Sequence, residues 1–285
     1  MDLSIIIVSY NTKEILNKCL KSVYESLKGS KLKYEVIVVD NNSQDGSVEL
    51  VEKYFTEVIL LKNKENQGYA KANNQGIIIS QGKYVLLLNS DTIVINKSIE
   101  KMVRFLDKTP TAGVVTPKVE LPNGKIDPAC HRGFPTPWAS ITYFLKLEKC
   151  FPKIRFFSGY HLWYKNLLKI HEIDACSGAF FLIKKEVLKD VGMLDEDYFM
   201  YGEDLDWCYR IKEKNWKIYY NPESKIIHLK KRSGFENPNE KIKKRTNKFF
   251  YNTMEIFYKK HYEKKYPAIV TKLVMLGIKL KSRIK

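Results

Sequence analysis

The chain has 285 residues, 44% hydrophobic and 13% aromatic, enough for one large α/β domain with extensions and a sizeable core. Its formal charge of +17 is uneven: residues 230–285 hold 17 Lys/Arg against 4 Asp/Glu, a net of +13, which leaves +4 for the first 229 residues. Five cysteines without a CxxC pair argue against a zinc site or disulfide framework and read as reduced cytosolic thiols, and no stretch has the roughly 18 apolar residues of a membrane span or the form of a signal peptide.

In chain order, residues 3–8 form a Leu/Ile/Val run, the mark of a strand buried on both faces, ending in Ser9-Tyr10-Asn11. Residues 12–27 carry Ile15, Leu16, Cys19, Leu20 and Val23 at helical spacing. A second strand, 34–39, ends in Asp40-Asn41-Asn42-Ser43, and a helix with Val48, Val51 and Phe55 follows. Residues 58–61 read as a third strand, 66–70 as a turn, and 71–80 as a helix. The run at 84–88 then ends abruptly in Asn89-Ser90-Asp91. Alternation of strand, loop and helix over roughly 100 residues predicts a mainly parallel twisted sheet flanked by helices. Its polar strand ends fall along one edge, where open α/β sheets bind ligands. With neither GxGxxG nor GxxxxGK[ST] present, the ligand is held without a dinucleotide fingerprint or a P-loop.

Residues 113–133 read as strand and turn, with Leu-Pro-Asn-Gly at 121–124 as the turn signal. Residues 134–173 are rich in aromatics, Pro and Lys with weak periodicity, an irregular cap or a lid. Order returns at 175–183, with a helix over 184–191. Tyr201-Gly202-Glu203-Asp204-Leu205-Asp206-Trp207 leads into a helix through Cys208 and Ile211. A strand at 216–221 is broken by Pro222, and Ile226-Ile227-His228 follows.

Six of these segments, in order, resemble family 2 glycosyltransferases: Ile6 to Asn11, Val38 to Gly46, Asn66 to Ala70, Leu87 to Asp91 as the DXD position, and the acceptor-side pieces Cys176-Ser177-Gly178-Ala179 and Gly202 to Asp206. The likeness runs from about residue 3 to 235 and is greatest to the rhamnosyltransferase group. It implies an α/β fold of GT-A type over residues 1–229, with a nucleotide-binding half at 1–112 and an acceptor-binding half at 113–229. A basic helical extension follows at 230–285.

The resemblance assigns chemistry residue by residue. A sugar nucleotide leaves as a diphosphate that gains charge, which a divalent cation neutralises. Asp91 is a hard oxygen ligand for Mg²⁺ or Mn²⁺, although Asn89 stands where the family offers a second carboxylate. His228 is the second metal candidate, with a packed histidine as the alternative. Asp40 would accept from the imide N–H of uracil or thymine, favouring a UDP- or dTDP-sugar, or it only caps the next helix. Ser9, Tyr10, Asn11, Asn89 and Ser90 would line the nucleotide-sugar pocket, and Asn66, Gly68 and Asn74 would bound the ribose and phosphate side, although turns use Asn and Gly regardless of ligand. An inverting transfer needs a base, assigned to Asp204 with Glu203 beside it, the alternative being acids at a helix start. Ser177, Gly178 and Trp207 would meet the acceptor, with a core tryptophan as the alternative for Trp207, and Asp206 and His131 are secondary candidates.

In the tail, Lys230-Lys231-Arg232 and residues 241–248 are basic, and Phe249, Phe250, Phe257, Tyr258, Ile269, Leu273, Leu276 and Leu280 interleave at helix-compatible spacing. The pattern suits an anionic membrane surface, with packed helices or a homodimer contact as alternatives. The resulting expectation is a cytoplasmic enzyme, peripheral at the inner face of the cell membrane. It would use a nucleotide-sugar donor and a saccharide or lipid-linked acceptor in cell-surface polysaccharide synthesis, with no nucleic-acid partner. The rival is a non-catalytic basic protein that grips nucleic acid or membrane. It would show steep salt dependence and no turnover.

Overall fold

A computed structural model of the chain describes residues 1–230 and 240–284. The elements are β1 (Leu3–Ser9), α1 (Lys13–Leu27), β2 (Tyr34–Asp40), α2 (Ser47–Tyr54), β3 (Ile59–Lys62), α3 (Tyr69–Ile79), β4 (Tyr84–Leu88), β5 (Thr92–Val94), α4 (Ser98–Lys108), β6 (Ala112–Glu120), α5 (Pro137–Phe144), α6 (Leu147–Cys150), β7 (His171–Ile173), β8 (Phe180–Lys184), α7 (Lys185–Val191), α8 (Glu203–Glu213), β9 (Lys217–His228), α9 (Glu240–His261) and α10 (Ala268–Ile284).

One nine-stranded sheet runs in the order β3-β2-β1-β4-β8-β6-β9-β5, with β7 also on β9. The first four strands are parallel. Ile5, Ile6 and Ile7 of β1 and Val85 to Leu88 of β4 are wholly buried, because crossover helices cover both faces of a parallel sheet. α1 is amphipathic for the same reason, with Leu16, Cys19, Leu20 and Val23 facing the core.

Beyond β4 the sheet departs from the mainly parallel expectation and becomes mixed. β8 runs antiparallel to both β4 and β6, β9 is parallel to β6, and β5 and β7 are antiparallel to β9. Pro222 does not end its strand as its missing N–H led us to expect. β9 continues through it, and the cost is taken as a register slip: Asn221 pairs with Pro117, yet Lys225 is the partner of Lys118. The slip carries the far end of β9 onto β5, pairing His228 with Thr92. β5 and α4 fall in a stretch to which the sequence patterns assigned nothing. α4 nevertheless buries Ile99, Met102, Val103 and Leu106 along one stripe.

The C-terminal extension is two helices. α9 packs on the sheet domain through a second core, in which Phe257, Tyr258 and Tyr262 join Tyr198 and Tyr209. α10 folds back along α9 with Val274 and Met275 at that core. Of the basic cluster at 230–232, Lys231 and Arg232 lie outside the described residues.

Candidate active site

The C-terminal ends of β1, β2 and β4 share one edge. Strand register sets Ser9 beside Asp40. Ser9 Oγ lies 3.0 Å from Thr12 Oγ1, which in turn lies 3.4 Å from Ser90 Oγ, so a chain of hydroxyls joins the end of β1 to Asp91. Asp40 is 2% exposed. Its Oδ2 accepts the Ser43 N–H at 2.8 Å, the capping contact, while its Oδ1 is buried without a partner. A buried acceptor left unpaired costs about 1–3 kcal/mol, so something that binds here is expected to satisfy it. Asn11 has a left-handed backbone (φ 53°) and accepts the Gln44 N–H, and Tyr10 stands exposed at the rim. Asn66 closes its own turn by accepting the Gly68 N–H. Gly68 is obligatory there: φ is +82°, and a Cβ would sit 2.6 Å from the Phe199 carbonyl.

Asp91 follows β4, and the β5–β9 ladder brings His228 against it, with Nε2 3.1 Å from Asp91 Oδ1. On its other side, His228 Nδ1 donates to Asp127 Oδ2 at 2.8 Å. Asp127 is wholly buried and also accepts from Lys230 Nζ at 3.0 Å. Burial disfavours charge on His228, but its bonds to Asp127 and Asp91 outweigh that and lift its pKa to about 9. Burial likewise opposes charge on Asp127, yet His228 and Lys230 hold it well below the usual carboxylate range. Asp127, a residue the sequence patterns did not single out, thus orients His228 from behind, as carboxylates do for metal-binding histidines.

The β4–β8 pairing lays the 176–179 segment alongside Asn89, whose N–H donates to the Ala179 carbonyl. Between them stands Tyr69, its hydroxyl 2.9 Å from Asn89 Oδ1 and 3.2 Å from the Gly178 carbonyl. A Cβ on Gly178 would lie 2.4 Å from that hydroxyl, so glycine is what admits the tyrosine. Burial first, then the charges of Glu203, Asp204 and Asp91, push the Tyr69 pKa far up. α8 supplies two of them at its start, where the free N–H groups favour acids.

Glu203 and Asp204 differ sharply. Glu203 is buried, its Oε2 has no partner, and burial, then the neighbouring Asp204 charge, raise its pKa to about 8. Asp204 is held by Arg132, whose Nη2 donates to Oδ2 at 2.8 Å. Arg132 is nearly buried, its Nη2 also reaches the Cys176 carbonyl, and its backbone bridges to Ala175. Ser177 Oγ and Arg132 Nε, like Asp40 Oδ1 and Glu203 Oε2, are buried without partners among the described residues.

Four expected site residues serve elsewhere. Trp207 is wholly buried, stacked on Phe181 at 5.0 Å with its N–H on the Gly192 carbonyl, so it offers no face to an acceptor. Asn74 spends its amide on Leu194 and Glu196, pinning that segment rather than bounding a ribose. His131 lies in an aromatic nest, 2.6 Å from His171 Nε2, where burial first, with His171 beside it, outweighs the bond to the His161 carbonyl and leaves its pKa down at about 4. The cleft is met instead by its neighbour Arg132. Asp206 is clamped by Arg210 at 2.8 Å and His261 at 2.7 Å, tying α8 to α9.

The family model of glycosyl transferase family 2 matches residues 4–192, well over half of the chain. The chain belongs to that family. Its curated relatives include the poly-beta-1,6-N-acetyl-D-glucosamine synthase of Staphylococcus aureus, 28% identical over 77% of this chain and 48% of that protein. The low-salt glycan biosynthesis hexosyltransferase Agl10 of Haloferax volcanii is 27% identical over 76% of this chain and 64% of its own length. The chain thus spans about half to two thirds of these relatives. Among solved structures, S. aureus TarS 1-349 in complex with UDP-GlcNAc aligns with a TM-score of 0.56 at 19% identity, covering 90% of this chain and 65% of that one. The mannosyltransferase PcManGT from Pyrobaculum calidifontis, in complex with GDP-Man and Mn²⁺, gives 0.61 at 16% identity, covering 98% and 69%. These two likenesses establish the GT-A fold, and the family model makes the chain a glycosyltransferase of family 2.

Proposed function

We propose that this glycosyltransferase transfers a sugar, with inversion, from a UDP- or dTDP-sugar to a hydroxyl of a saccharide or lipid-linked acceptor. The observation that carries the reading is the pair of bridges across one strand edge: the Tyr69 hydroxyl joins Asn89, two residues before Asp91, to Gly178, and Arg132 joins the Cys176 carbonyl to Asp204. One cleft then holds a diphosphate-binding end and a base. The unpaired Asp40 Oδ1 supports a base with an imide N–H, which uracil and thymine share. Sequence motifs favour rhamnose as the sugar, while the names of the relatives favour a hexose or N-acetylhexosamine.

Asp204 is the general base. It takes the acceptor hydroxyl proton as the oxygen attacks the anomeric carbon, while the sugar–phosphate C–O bond breaks and the nucleoside diphosphate leaves with the electron pair. Arg132 aims the carboxylate. Glu203 stays neutral at pH 7, because its pKa stands at about 8, and so adds no second charge beside the base. Asp91 Oδ1 and His228 Nε2 are the residues that would hold Mg²⁺ or Mn²⁺, His228 after losing its Nε2 proton. The donor set of one hard oxygen and one oriented imidazole fits such an ion. Among the described residues no three His, Cys, Asp or Glu side chains are placed to hold a metal ion together, so diphosphate oxygens and water would have to complete the shell. When bound, the ion neutralises the charge of the departing diphosphate. The test is a screen of UDP- and dTDP-sugars for hydrolysis and transfer with Mg²⁺, Mn²⁺ or EDTA. Asp204→Asn at wild-type turnover would remove the assigned base.

A further inference from the structure

Two helices that touch each carry exposed apolar residues in a stripe. On α10, Ile269, Leu273, Leu276 and Leu280 are each at least half exposed and fall at steps of four, three and four, one stripe of a helix. The opposite side of α10, with Val274 and Met275, is the side packed on α9. The helix therefore carries two apolar faces, and only one has a partner. On α5, Trp138, Ile141 and Leu145 repeat the pattern at steps of three and four, exposed by 42%, 47% and 65%. The two helices meet where Lys281 Nζ lies 5.3 Å from the centre of the Phe144 ring.

Charge around this surface has one sign. Residues 268–284 contain Lys272, Lys279, Lys281 and Arg283 and no acid. Next to α5, Lys146, Lys149, Lys153 and Arg155 are exposed, while the one acid among them, Glu148, is buried and paired with His161 at 2.6 Å. Leucines and aromatics in stripes, bordered by lysines with no counter-charge, match the boundary between an anionic headgroup layer and acyl chains. A second copy of the chain would set like charges against each other, which disfavours association. Nucleic acid would engage the cations and leave the leucines wet.

We infer that α10 and the α5 insertion form one surface that lies in the interface of an anionic lipid bilayer, apolar stripes inward and cations at the headgroups. The surface argument stands without the reaction. It rests on the glycosyltransferase reading only for its consequence, that the acceptor is lipid-linked and presented beside the Arg132–Asp204 end of the cleft. Gly133 ties the insertion to that end, its N–H donating to the Tyr160 carbonyl.

The test is co-sedimentation of the full chain with phosphatidylcholine vesicles, with and without phosphatidylglycerol, at low and high salt and without sugar donor. Binding to the anionic vesicles only, weakened by salt, is expected. Leu273→Glu/Leu276→Glu and, separately, Ile141→Glu/Leu145→Glu are each expected to lower the partition by about 100-fold, since a buried leucine contributes roughly tenfold or more. The thermal midpoints and donor hydrolysis of both pairs should stay as in the wild type. No sedimentation with anionic vesicles, or unchanged binding by both pairs, overturns the inference. So does a dimer in solution that the α10 pair dissociates. A chain that binds vesicles but hydrolyses no donor refutes the enzymatic reading alone.

Discussion

His228 offers a quantitative check on the geometry of the cleft. Its imidazole is 7% exposed and lies between Asp91 and Asp127, and its pKa is raised from 6.5 to about 9. A group whose pKa is higher in the folded than in the unfolded chain contributes stability that is complete below the unfolded value and lost as pH rises through the folded one. Each pKa unit is worth 1.36 kcal/mol, so the contribution is on the order of 3 kcal/mol below pH 6.5 and vanishes above about pH 9. With an unfolding entropy of about 2.1 cal/mol/K per residue, that amounts to roughly 5 °C in Tm for a chain of this length. The perturbation is His228→Gln, in buffers with EDTA so that no cation competes for Nε2. Glu203 and other groups titrate in the same range, so the quantity to follow is the Tm difference between wild type and variant. It should be close to 5 °C at pH 6 and shrink toward its floor by pH 9.5. A difference that does not change with pH would mean that His228 is neutral in the folded protein, and the Asp91–His228–Asp127 arrangement would have to be abandoned.

The two acids at the start of α8 should behave differently. Asp204→Asn should lower turnover by about 10²–10⁴-fold. Glu203→Gln imitates a group already neutral at pH 7 and should cost less than about tenfold. The wild-type rate should fall above pH 8 as Glu203 ionises, and the rate of Glu203→Gln should not; a pH–rate profile of both reads this out. Asp40→Asn turns an acceptor into a donor at the proposed base contact. The donor KM should rise about 10- to 100-fold with kcat little changed, because a hydrogen bond to a charged group is worth about 1.5–3 kcal/mol; a drop in Tm with an unchanged KM would leave Asp40 only its capping role. Gly178→Ala should destabilise by about 1–3 kcal/mol by forcing a methyl group onto Tyr69, and adding Tyr69→Phe should recover part of that loss in a denaturant titration.

Much of the cleft was legible because strands buried on both faces announce themselves as apolar runs, and their abrupt polar ends mark the edge where ligands bind. Asp40 and Asp91 stand out for that reason. The residues that escaped act across distance. Asp127 sits in a turn next to Pro128, and nothing local says that His228, a hundred residues on, will need a carboxylate. Arg132 was passed over for His131, since alternation along a chain cannot say which of two neighbours faces the cleft. Tyr69 looked like a turn residue until the β4–β8 pairing laid Gly178 against it. An aromatic beside two acids reads equally as a sugar platform or as core, and Trp207 is buried. Its helix packs that side against Phe181.

The clamp of Asp206 between Arg210 and His261 gives the C-terminal helices a hold on the catalytic end of the molecule. Asp206 is two residues from Asp204 and 1% exposed, and one of its two side-chain partners arrives from α9. A chain cut before α9 would lose that imidazole and open Tyr198 and Tyr209 to water, so the first turn of α8 would loosen where Asp204 must be aimed. The proposed anchorage and the proposed base are therefore mechanically joined: whatever surface seats the last two helices also steadies Asp204.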